Sequence, residues 1–176
     1  MPKRFALSLI IVPLLVSACG GSAPRSRASA SHVVSGPGFS FSAPVGWTTS
    51  RTERSLVARK APGAAGPLVS ATVLPLAKPY EPVLFPTAAQ ELDRVAAQLA
   101  RASGGTVTQG VTTVVDGQKI RAYRFTSRPA GKPSADVRIG FLLEGRREYQ
   151  LLCSVPAGGG DPDGACALLF GSFAPE

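Results

Sequence analysis

Apolar and polar residues alternate from Phe39 to Ser42, the period of a half-buried strand, and Pro44-Val45-Gly46-Trp47 then turns the chain sharply. Ser55 to Lys60 reads as a second strand. Leu68 to Leu74, rich in branched residues, reads as a third. Prolines at 75, 79, 82 and 86 keep the next segment irregular. Thr87 followed by Gln90 is a capping-box pattern, which predicts a helix through about Ala102. Leu92, Val95, Ala96 and Leu99 fall on one stripe of it, and Gly104-Gly105 ends it. Asp116-Gly117, between Thr106 to Val115 and Gln118 to Ser127, is a hairpin signal. In the next strand Val137, Ile139, Phe141 and Leu143 share one side, with Arg138 and Glu144 on the other. A turn at Gly145-Arg146-Arg147 leads to Glu148 to Val155, where Tyr149, Leu151, Cys153 and Val155 share a side. After the loop Gly158-Gly159-Gly160, Asp161-Pro162 predicts the start of a last helix, with Cys166, Leu169, Phe170 and Phe173 at helical spacing. Hairpin-linked strands interleaved with two helices imply an α+β fold: an antiparallel sheet of six to seven strands with the helices on one face.

Composition changes this picture mainly through the cysteines. The 176 residues contain three, and if Cys19 is consumed as argued below, Cys153 and Cys166 remain as an even pair. Their face assignments put them across one strand–helix interface, so a structural disulfide is expected. A redox pair would prefer a closer Cys-x-x-Cys, and a zinc site needs more ligands. The net charge of +8 is spread over many segments and forms no dense run. It suits an anionic membrane surface better than nucleic acid, which is not an expected partner.

The first residues set the address. Lys3 and Arg4 precede an apolar run from Phe5 to Val16, too short for a membrane span that needs about 20 residues and interrupted by Pro13. Leu15-Val16-Ser17-Ala18-Cys19 resembles a bacterial lipobox. Residues 1–18 are therefore expected to be a lipoprotein signal peptide and Cys19 the lipidated N-terminus of the mature chain. Residues 19–36, small and polar, are expected to be a flexible tether, and 37–176 the folded domain.

The stretch Phe-x-Phe-x-x-Pro-x-Gly-Trp (Phe39 to Trp47), the element order and the closing segment from Cys166 to Phe173 resemble the PsbP/Mog1-type α/β sandwich. In particular they are similar to LpqN-type lipoproteins of actinobacteria. The resemblance implies the fold and a cell-envelope location. It carries over no catalytic residue.

The search for chemistry is mostly negative. His32, the single histidine, lies in the expected tether, so a Ser-His-Asp triad has no base within the domain. There is no Gly-x-Ser-x-Gly elbow and no phosphate loop. Asp161 and Asp163 are explained by the helix start, and hard cations need more oxygens, so no metal or cofactor is expected. Two contact candidates remain. Trp47 reads either as a ligand-facing aromatic or as a core tryptophan closing the end of the sandwich; the second is favoured because tryptophan is highly buried on average. Tyr80 and Phe85 belong either to an exposed contact loop or to a loop wrapping the sheet edge with Phe85 tucked into the core. The expected function is a non-enzymatic binding or accessory domain, anchored to the membrane by lipid and contacting an envelope protein or lipid. The alternatives are a small-molecule or lipid carrier, which requires a cavity between sheet and helices, and an enzyme with dispersed residues.

Overall fold

In the computed structural model, residues 30–61, 66–108 and 110–176 are described. The expected signal peptide, Cys19 and the first part of the expected tether lie outside them. The chain runs β1 (Ser31–Gly36), β2 (Phe39–Pro44), β3 (Thr48–Arg51), β4 (Ser55–Arg59), β5 (Leu68–Pro75), α1 (Phe85–Ala102), β6 (Val111–Val115), β7 (Gln118–Ser127), β8 (Ala135–Glu144), β9 (Arg147–Pro156), α2 (Ala165–Ser172) and β10 (Ala174–Pro175). Seven strands form one antiparallel sheet in the order β3-β4-β5-β9-β8-β7-β6, and β1-β2-β10 form a small second sheet. The α+β class and the large antiparallel sheet are as the pattern implied.

The two helices sit on opposite faces, not on one. β7 and β8 carry apolar residues at both parities, so each face needs cover. Tyr123, Phe125, Val137, Ile139 and Phe141 pack with Leu92, Ala96 and Ala100 of α1. Ile120, Ala122, Leu142 and Tyr149, Leu151, Cys153 and Val155 of β9 pack on the other side with Leu169 and Phe170 of α2 and with β2. On that side Phe39, Tyr149 and Phe173 form an aromatic triangle with ring centres 5.4 to 6.2 Å apart. The expected disulfide is present: Cys153 and Cys166 are joined, with Cα atoms 5.4 Å apart, and bind α2 to β9. Closing a 13-residue separation is worth about 3 kcal/mol in the chain-entropy account.

Local chemistry explains three further departures. Residues 31–36 were expected in the tether, yet β1 pairs with β2 along its whole length and Val34 packs against the core. Val33-Val34 favours a strand, and Pro37 followed by Gly38 at φ 75° makes the tight turn that returns it. α1 begins at Phe85, so Thr87 lies inside it and caps nothing; Pro86 sits in the first turn, where its missing N–H costs no bond. The buried stripe is Leu92, Ala96 and Ala100, spaced by four, while Val95 and Leu99 are each 39% exposed. Small alanines bring the helix axis close to the sheet and leave the larger side chains on its flanks. Finally, Pro162–Gly164 form a separate 3-10 turn with Asp163 at φ 57°. Asp161 still caps α2 across that turn, accepting from the N–H groups of Cys166 at 2.8 Å and Ala167 at 3.1 Å.

The hairpin at Asp116-Gly117 is as expected. Both residues have positive φ, 47° and 73°, joining paired Val115 and Gln118 through the two-residue loop that strand twist favours.

Candidate binding groove

A seven-stranded sheet is about 29 Å wide at the usual strand spacing. One helix about 10 Å across and a small three-stranded sheet do not cover that width. On the α2 face the cover lies over β4, β5 and β9 and over the parts of β6–β8 that hold Val115, Ile120 and Leu142, and the stretch of β6–β8 around Val111, Arg124 and Arg138 is left open. The result is a groove of about 570 Å³ between the leading end of α2 and the sheet, in the size range of small-molecule sites. Thr108, Thr126, Val155, Cys166 and Ala167 line it. A second depression of about 350 Å³, over Val111, Thr113 and Ala122, adjoins it, and Thr108, Arg124 and Arg138 line both.

The arginines give the groove its character. Arg124 on β7 and Arg138 on β8 are direct register partners, so two guanidinium groups emerge side by side on the same face. Arg138 lies over the Phe170 ring at 3.9 Å from its centre. Burial first, then the neighbouring Arg124 charge, hold the Arg138 guanidinium below its usual range, against the opposite pull of Asp161. Two carboxylates also line the groove, and both keep their charge while their oxygens accept from neutral donors. Asp161 caps α2, and Asp136 accepts from Thr126 Oγ1 at 2.9 Å and from the Gly158 N–H at 3.0 Å. The ion pairs among the described residues are Lys60–Asp163, Arg94–Glu91 and Arg121–Asp93, and neither groove arginine takes part in one.

The residues singled out from sequence do not converge on this groove. Trp47 is 7% exposed and belongs to the core; its Nε1 donates to Asp163 at 3.2 Å, and Lys60 reaches the same carboxylate at 3.0 Å. These donors, Lys60 foremost, hold the Asp163 carboxyl below the usual range. Tyr80 is half-buried against the β8–β9 turn, where its N–H donates to the Gly145 carbonyl and burial pushes its phenol up. Phe85 is also half-buried, with the Lys119 ammonium 5.9 Å from its ring centre. His32 is exposed on β1. Asp161 and Asp163 turn to different partners and form no oxygen cage. Asp161 also lies within 4.8 Å of both cysteine sulfurs, but these are consumed by the disulfide. Arg124 and Arg138 were seen in the sequence only as scattered charges. Their pairing becomes visible once the β7–β8 register places Arg124 opposite Arg138.

No helix among the described residues is long and apolar enough to cross a membrane. No family model and no curated protein matches the chain. Among solved structures it is similar to the solution structure of cyanobacterial PsbP (CyanoP) from Synechocystis sp. PCC 6803. The TM-score is 0.53 at 12% identity, over 92% of this chain and 99% of that one. It is also similar to a crystal structure from Bacteroides thetaiotaomicron VPI-5482, with a TM-score of 0.53 at 10% identity, over 85% of this chain. This chain spans about half the length of that second structure, 49%. The fold is therefore PsbP-like.

Proposed function

We propose that this chain is a lipid-anchored, extracytoplasmic accessory domain of the LpqN type that works by binding, with the groove over β6–β8 as its binding surface. The groove is the observation that carries the reading. It is roomy, open and lined by paired arginines and hydroxyls beside an apolar floor. The lipobox-like stretch ending at Cys19 and the resemblance to LpqN-type lipoproteins support the address. The groove also favours a second reading, a carrier of a small molecule or lipid, because such a carrier needs a space between sheet and helix. Capture experiments from membranes with the lipidated protein test the proposal. It expects a specific ligand or partner whose recovery falls when groove residues are changed, and it expects Cys19→Ser to move the protein out of the membrane fraction. Recovery of nothing specific counts against it. Turnover in a broad activity screen would replace it with the dispersed-residue enzyme.

A further inference from the structure

We infer that the groove binds an amphiphilic anion, its phosphate or carboxylate head held between Arg124 and Arg138 and its apolar body lying along the floor toward Val111 and Ala122. This rests on the reading of the groove as the binding surface and adds the chemical class of what fills it.

Like charges directly opposite on adjacent strands repel, and a sheet carries such a pair at a cost unless a counter-charge sits between them. Asp161 supplies part of it to Arg138, but no carboxylate among the described residues forms an ion pair with either arginine. The two that line the groove have both oxygens occupied by hydroxyl or backbone donors. Stacking on Phe170 holds the Arg138 plane in place, and a preordered guanidinium loses little entropy when it takes up a planar or tetrahedral oxyanion. Among the threonines and two aspartates of the lining lie apolar patches: Val155 and Ala167 near the arginines, and Val111 and Ala122 beyond them. Val111 is 63% exposed although it faces this groove, an apolar position that the fold itself does not cover. A charged head beside an apolar floor matches one kind of ligand better than a bare anion or a neutral hydrocarbon.

The test uses the full chain carrying Cys19→Ser, handled without detergent, in calorimetric titrations with octyl phosphate, octanol and inorganic phosphate. Octyl phosphate should bind at least about tenfold more tightly than either of the others, since each of them lacks one half of the interaction. Arg124→Gln and Arg138→Gln should each weaken octyl phosphate by about tenfold and leave octanol unchanged, the size expected for losing one charge-assisted contact. Arg138→Lys keeps the charge but not the stacked plane and should fall between. Arg94→Gln, on α1 at the opposite face, should change nothing. Urea unfolding of each variant verifies the fold, and Arg124→Gln, altering an exposed residue, decides the matter if Arg138→Gln is unstable. Sedimentation with phosphatidylglycerol against phosphatidylcholine vesicles separates the sources. Arginine-dependent preference for the former assigns a membrane lipid head, and octyl phosphate binding without it assigns a free amphiphile. The inference is overturned if both glutamine variants bind octyl phosphate as the parent does, or if octanol binds equally well. In those cases a ligand captured from membranes would still leave the groove as a binding surface. Loss of both results removes the two readings together.

Discussion

Gly140 decides how closely α2 meets the sheet. It sits on β8 opposite Leu151, and a Cβ built there would lie 2.7 Å from Phe170 Cε1 and 3.3 Å from Ile120 Cδ1. The Phe170 ring fills the space a side chain would take, and the same ring carries the Arg138 guanidinium. Gly140→Ala should therefore destabilise the fold by about 1 to 3 kcal/mol through overpacking, although alanine is the better strand residue. Urea midpoints of the two proteins measure this, and an equal midpoint would show that Phe170 has room to move. A glycine inside a strand pattern often marks such an approach, but the sequence does not say what approaches. Trp47 shows the other side of legibility. Its buried position follows from tryptophan's size alone, while its partner Asp163, 116 residues away, depends on a turn with a positive φ that no pattern announces.

The docking of α1 depends on a polar clasp as well as on its apolar stripe. Asp93 accepts from Arg121 Nε at 2.9 Å and Nη2 at 3.0 Å and from the Tyr123 hydroxyl at 2.7 Å, tying the helix to β7. Gly110 passes beside this cluster, where a Cβ would fall 2.5 Å from the Tyr123 ring and 2.8 Å from Asp93 Oδ1. The Arg121 hydrogen bonds, opposed by burial, hold the Asp93 carboxyl below its usual range. A carboxyl lowered on folding contributes in full above the unfolded carboxylate value, about 3.9, and loses that contribution as pH falls through its folded value. Asp93→Asn should cost about 1 kcal/mol at pH 7, discounted because the side chain is 44% exposed. The gap between variant and parent should narrow toward pH 3. Urea midpoints at both pH values check this; a constant gap would mean that the charge of Asp93 contributes nothing. The existence of α1 was legible in its spacing. Its start and its rotation were not, because Pro86 is harmless in a first turn and small residues displaced larger ones from the contact.

Across the domain, the longer strands and their parity were legible because they depend on neighbours two residues apart, whereas β1, the exposed polar β3 and the two-residue β10 carry no such alternation. Strand order and the use of both faces were not legible, because they depend on partners far along the chain. β8 illustrates the limit: its odd side reads as apolar, yet Gly140 and Leu142 on the even side are buried as well. The same limit misplaced the domain's beginning, since β1 is short, mostly exposed and held mainly by its pairing with β2. Ala30 accepts from the Val45 N–H at 2.9 Å, β1 pairs in register from Ser31 to Gly36, and Arg51 reaches the Ser35 carbonyl at 3.4 Å. Removing that strand uncovers one edge of β2, whose Phe39 and Phe41 are fully buried in the core shared with α2. Backbone ordering offsets part of what the ladder and the Val34 contact contribute, so the net loss should be about 2 kcal/mol. A chain beginning at residue 30 is the reference, and one beginning at residue 37 should show that loss in its urea midpoint. It should also show faster amide exchange along β2, because the β2 groups that pair with β1 then face water. Equal midpoints and unchanged exchange would put the boundary back at 37 and leave β1 as an ornament of the fold.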